Sequence, residues 1–265
     1  MNVCGMMLAS TNVLEEIVSK KWIIPIGPYE VPFTNHMLMI TLASLTLMAV
    51  LPLVLKKPVL VRSGFGNLIE TICLYIREDV ARPFLKDHTD RYIGILWTLF
   101  FFILTMNLLG LMPIPQLMYI ITKHKHIGGA PTLSVWVTGA LATFSFLLFH
   151  IAGIREKGIW HYLKTFTPKV PWPMYPFMFA IEVVSSFVRL FSLAIRLFAN
   201  ILAGHILLAV ILGFIMMFKT YLVAGSALTA TVLFSLLEVF VAFLQAYIFV
   251  FLTTIFIGFA IADEH

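Results

Sequence analysis

The sequence predicts an all-α, polytopic membrane protein. About five membrane-embedded helices plus an amphipathic surface helix are expected, the last two spans forming a long, steeply tilted antiparallel hairpin. Three observations carry this. Hydrophobic residues make up 60% of the chain and charged residues only 12%, against roughly 25% charged in a soluble domain; the mean hydropathy is +0.97. Most of the charge sits between apolar runs long enough to cross a bilayer. The last two apolar runs are each about twice the length that crossing requires.

The 265 residues read as a single membrane domain, 1–265, in three parts: an N-terminal segment 1–36, three spans and an amphipathic helix in 37–153, and the hairpin in 174–262. The N-terminal segment lacks a basic leader region and carries Glu15 and Glu16, so it does not read as a cleaved signal peptide. Residues 37–55, "MLMITLASLTLMAVLPLVL", are the first span, ended by "KKPVLVRSGFGN". Residues 67–86 interleave Leu68, Ile69, Ile72, Leu74 and Ile76 with Glu70, Arg77, Glu78 and Asp79. That is too charged to cross lipid and suits a helix lying on the membrane surface. Residues 92–112 span again, stopped by "PIPQ", and 132–153 span a third time.

Residues 174–217 and 222–262 follow, each about 40 residues with few breakers and so roughly 60 Å long as helices. The hydrocarbon core is about 30 Å thick and ordinary tilt is about 20°, so each helix is either broken or tilted far from the normal. "MFKTY" is the only strong break between them, which makes an antiparallel hairpin. Orientation follows from Lys and Arg. Lys56, Lys57, Arg62, Arg77, Arg82, Lys86 and Arg91, with Arg155, Lys157, Lys164 and Lys169, fall on the side of the C-terminus. Lys20, Lys21, Lys123, Lys125 and Lys219 fall opposite. The excess puts the C-terminus inside.

The hairpin carries Glu182, Arg189, Arg196, His205 and Glu238 in apolar surroundings. A charge at mid-bilayer costs roughly 2.5–3.5 kcal/mol on insertion scales, and such residues mark ion paths. At 100° per residue, positions 182, 189, 193, 196 and 200 lie within about 60° of one another and form one polar stripe, while His205 lies about 180° from Arg196. The stripe is expected to face a partner and His205 to face away. With the hairpin centred on Tyr221, Gln245 falls level with Arg196 and Glu238 level with His205. Three layers result: Glu182 inside, Arg196 with Gln245 in the middle, His205 with Glu238 outside. Carboxylate and imidazole can exchange protons near neutral pH. Arginine keeps its charge, so it serves as barrier and counter-ion rather than relay.

These residues resemble the a subunit of F-type ATP synthases. "LAIRLFANILAGH", "LLEVFVAFLQAYIFVFL" and "TMNLLGLMPIP" carry the resemblance, which covers most of the chain from about residue 35. It implies a stator pressed against a ring of c subunits, held by b-type peripheral stalk subunits within the lipid bilayer. Arg196 then corresponds to the family's essential arginine. His205, Glu238 and Asn107 line the outer half-channel, Glu182 is the inner acid, and Gln245 and Asn200 are the arginine's polar neighbours. Arg189 occurs in some members only, and Gly110 stands where some members carry an acid. The resemblance implies a bacterial plasma membrane or a mitochondrial inner membrane, with ATP chemistry on partner subunits.

No phosphate-binding GxxxxGK[ST] loop is present, and the small net charge of +5 gives no case for nucleic acid. Cys4 and Cys73 have no metal-like spacing, "HKH" at 124–126 reads as loop, and no cofactor or metal is expected. His36 and His150 read as interfacial residues near helix ends. A proton-coupled secondary transporter is the alternative. It would call for pseudo-repeated broken helices, and no repeat is visible.

Overall fold

The computed structural model describes residues 21–26, 29–55, 64–112, 130–165, 171–218 and 220–262. A small antiparallel hairpin pairs β1 (Lys21–Ile26) with β2 (Tyr29–Thr34). It precedes an all-α body and occupies a stretch to which sequence patterning assigns no element. The helices are α1 (Asn35–Leu55), α2 (Phe65–Tyr75), the short α3 (Arg82–Leu85) reached through a π turn at Ile76–Ala81, and α4 (Thr89–Leu111). Then come α5 (Val135–Lys157), α6 (Ile159–Thr165), α7 (Tyr175–Phe218) and α8 (Tyr221–Ile261). Among the described residues, five helical stretches are long and apolar enough to cross a membrane, and the chain is an integral membrane protein. Neither α7, of 44 residues, nor α8, of 41, is interrupted. Of the two ways to fit these lengths, the broken helix is therefore not the one adopted. The loop containing "HKH" lies outside the described residues.

The helices pack into two compact units. One comprises residues 1–48, 102–137 and 196–245; the other comprises 49–101, 138–195 and 246–265.

In the second unit, α5 runs parallel to the end of α8. Ser145 and Thr253 share a buried hydrogen bond of 2.6 Å, Phe149 meets Phe256 at 5.7 Å, and Lys157 Nζ donates to the Ala262 carbonyl. The α2–α3 segment follows the same direction along α8, with Tyr75 on Tyr247 (6.1 Å) and Phe84 edge-on to Phe251 (5.9 Å). The amphipathic helix expected at 67–86 is thus packed along α8 by its aromatic side. Its charges are answered locally by the Arg77–Asp90 and Arg82–Glu78 pairs. Lys86, at φ 48°, makes the reversal into α4, and the Thr89 hydroxyl caps its carbonyl at 2.6 Å. Trp97 then donates its indole N–H to the Cys73 carbonyl. Arg91, at the start of α4, pairs with Glu156 at the end of α5, which also lies 3.7 Å from His88. His88 and Arg91 therefore meet Glu156 at one end of this unit, where Lys157 also meets the end of α8. The Lys/Arg count assigns Arg91 and Lys157 to one side for an independent reason.

In the first unit, Ala130, Leu133 and Ile201 form a buried cluster with Leu202 against it. His36, next to the start of α1 at Asn35, is only 6% exposed.

Candidate functional site

The ionisable residues of α7 and α8 divide between the units. Arg196, Asn200, His205, Glu238, Gln245 and Asn107 belong to the first; Glu182 and Arg189 belong to the second.

Within the first unit, the Glu238 carboxylate lies directly on Gly204, next to His205, so close that a Cβ at position 204 would overlap it. Glycine here is a matter of space: only a bare backbone lets the acid seat itself against α7. This contact fixes the register of the hairpin within one residue of the one that centring on Tyr221 gives. Along α8, Glu238, Ala242 and Gln245 follow at i, i+4 and i+7, and so share a face. Asn107 on α4 joins that face, its amide N–H donating to the Ala242 carbonyl at 3.4 Å. Asn107 is fully buried and Gln245 is 4% exposed. Asn107 Oδ1, Gln245 Nε2 and His205 Nε2 are buried and make no hydrogen bond among the described residues. Buried polar atoms are almost always paired, with water where protein does not serve. Three such atoms on three helices therefore outline a polar, water-compatible lining.

Arg196 differs: it is exposed. Here the expected stripe needs correction. Leu193, one of its members, is 3% exposed, and Asn200 is half-buried. The exposed face of α7 is instead apolar: Val184, Val188, Phe191, Ile195, Ala199, Ala203, Ile206, Val210, Phe214 and Met217. That face is centred roughly 100° round the helix from the polar stripe, and Arg196 stands on the margin of the two. Periodicity identifies which residues share a face, but not which face neighbouring helices cover.

In the second unit, Arg189 Nη2 donates to Glu182 Oε1 at 3.0 Å, and the guanidinium lies 5.3 Å from the Phe256 ring centroid. Both side chains are partly exposed. Beside them is a group that sequence reasoning missed. His150 on α5, half-buried, meets the Tyr162 hydroxyl through Nδ1 at 2.7 Å and the Ser186 hydroxyl through Nε2 at 3.2 Å. It draws on three helices, so no single periodic pattern reveals it.

The family model for the ATP synthase A chain matches residues 36–258. The chain belongs to this family. It is 37% identical over 246 residues to the ATP synthase subunit a of Chloroherpeton thalassium, covering 91% of this chain and 70% of that one. With ATP synthase subunit a of Myxococcus xanthus the identity is 39% over 244 residues, covering 90% and 76%. ATP synthase subunit a 2 of Prosthecochloris aestuarii is 35% identical over 247 residues, covering 91% and 72%. Membership of the ATP synthase A chain family places the chain in proton transport for ATP synthesis, as part of the ATP synthase complex.

The Glu182–Arg189 pair leads to a graded expectation. Arg189 has a partner on its own helix and an aromatic ring beside it, whereas Arg196 has the exposed position. Arg189→Ala is expected to lower coupled ATP synthesis by a few-fold without abolishing it. ATP synthesis in inverted vesicles, with assembly verified, measures this; complete loss would move the essential cation to position 189.

Proposed function

We propose that this chain is the proton-conducting stator of a rotary ATP synthase. Two offset half-channels deliver protons to and from the carboxylates of a c-ring, and Arg196 stands between them. The carrying observation is the partition of the hairpin. Along α7, Arg196 is exposed at the edge of an apolar face, the buried His205 Nε2 follows it, and the Glu182 group precedes it.

A proton enters from outside past Asn107, His205 and Glu238 and neutralises a rotor carboxylate, which can then turn into lipid. After most of a turn it meets the inner path near Glu182 and is released. The exposed face of α7 offers Ala199 and Ala203 beside Arg196, small residues that let a rotor helix approach closely. Continuous helices of about 66 and 62 Å in a core of about 30 Å lie steeply tilted, which carries one hairpin past several rotor helices. Full transfer of one charge yields about 2.3 kcal/mol per 100 mV, so several protons are needed for each ATP. The relatives named above are bacterial, and a bacterial plasma membrane is the setting this favours. b-type stalk subunits would hold the stator still.

Cysteine access tests the two paths. Cysteines placed at 205 and 238 are expected to react with silver ion or thiol reagents from outside, and a cysteine at 182 from inside. Access to all three from one side would overturn the two half-channels. A secondary transporter, by contrast, would move a solute without a rotor.

A further inference from the structure

The inner path, as drawn so far, stops at Glu182, still within the α7 span. We infer that His150, held between Ser186 and Tyr162, is a proton relay on the inner path, linking the Ser186 level of α7, one turn deeper than Glu182, to Tyr162 beyond the end of the α5 span. The inference rests on the stator reading and deepens it.

The geometry has four parts. Ser186 lies one turn beyond Glu182 and almost a turn before Arg189, on the face that these two share. It is 2% exposed, and its hydroxyl reaches His150 Nε2. The imidazole is held between Phe146 and Phe149, with ring centroids 4.3 and 4.4 Å away, so it is fixed in place while both nitrogens remain bonded. Its Nδ1 meets Tyr162, which belongs to α6, beyond the end of the α5 span. The Tyr162 ring lies on Gly153, where a Cβ would strike it; a bare backbone at 153 lets the phenol reach back to position 150. Burial pushes the Tyr162 phenol up to about 12, so at neutral pH it keeps its proton and can both donate and accept.

The hop balances. In one tautomer Nδ1 accepts from the Tyr162 hydroxyl and Nε2–H donates to Ser186; in the other both bonds reverse. A proton arriving at the Ser186 oxygen from the rotor side releases the Ser186 hydroxyl proton to Nε2. The Nδ1 proton passes to the Tyr162 oxygen, which gives up its own to water. Each hydroxyl gains one proton and loses one, and the imidazole changes tautomer. Before the next hop the hydroxyls reorient and the imidazole returns to its first tautomer, losing the Nε2 proton and regaining one at Nδ1 by exchange with water. Arg189, paired to Glu182, supplies fixed charge beside this route but carries no proton along it.

The test uses the assembled membrane complex in inverted vesicles stripped of its catalytic head, with passive proton flux driven by a potassium diffusion potential. His150→Gln keeps a hydrogen-bonding group but cannot shuttle, and is expected to lower flux by roughly tenfold or more. Tyr162→Phe keeps the ring on Gly153 and is expected to do the same. Flux through His150→Ala is expected to recover on addition of imidazole, and to recover more with methylimidazoles whose pKa lies nearer the working pH. Near-normal flux through His150→Gln, or loss in His150→Ala that imidazole does not relieve, overturns the relay. The control is Arg196→Ala, read as coupled ATP synthesis in matching vesicles that keep the catalytic head. If it abolishes coupled synthesis while His150→Gln conducts normally, the stator reading stands and only the relay falls. If neither variant is impaired, both fall.

Discussion

Arg196→Ala is expected to abolish coupled ATP synthesis and to raise passive proton leak through the membrane sector. This is the largest effect expected of any single substitution in the chain. A fixed cation favours the ionised form of a nearby carboxylate, so a rotor acid approaching Arg196 gives up its proton before it passes. The same cation raises the energy of a proton crossing directly between the half-channels. Removing it loses the ordered release and the barrier together. Arg196→Lys is expected to be nearly as poor, because an ammonium can shed its proton in an apolar site and lacks the planar fork. The exposed placement of Arg196 suits both roles, since a buried guanidinium could not reach a passing partner. The measurement is ATP synthesis and proton flux in inverted vesicles with assembly verified. Normal coupled synthesis by Arg196→Ala would falsify the central claim.

Glu238→Gln is expected to cut coupled synthesis by roughly tenfold or more, within the range that positioned proton-transfer groups contribute. Glutamine preserves the shape and packing of the acid on Gly204 but cannot exchange a proton. The companion variant, Gly204→Val, leaves the acid in the sequence and denies it its seat. Its added carbons meet the Glu238 carboxylate, so the acid must swing away from α7. Gly204→Val is therefore expected to depress proton uptake from outside while leaving Glu182-side access to thiol reagents unchanged. Proton uptake and cysteine access, measured on the same vesicles, separate this from general misfolding. Full activity in both variants would remove Glu238 from the outer path.

Much of this protein was legible in its sequence. Membrane class follows from composition, because few residues here could pay to sit in water-excluded lipid unless they were apolar. Hairpin register follows from length alone: counting outward from Tyr221 sets Glu238 beside His205, and the Glu238–Gly204 contact agrees with that depth. Helical rise is constant, so counting works along one axis. Arg196, Glu182, His205 and Glu238 stand out as candidates for a similar reason, since ionisable residues in long apolar runs are costly.

What the sequence could not decide is which side of each helix its neighbours cover. The stripe containing Arg196 and Leu193 is real as a periodicity, yet packing buries Leu193 and exposes Arg196. The amphipathic stretch at 67–86 has a recognisable apolar side, but only the tertiary structure sets its aromatic residues against Tyr247 and Phe251. His36 and His150 look alike at helix ends; one is buried, while the other joins Tyr162 and Ser186 from two other helices. Sequence spacing records geometry within one helix. Contacts among helices distant in the chain depend on packing that leaves no periodic trace, and that is where the tertiary structure alone had the deciding information.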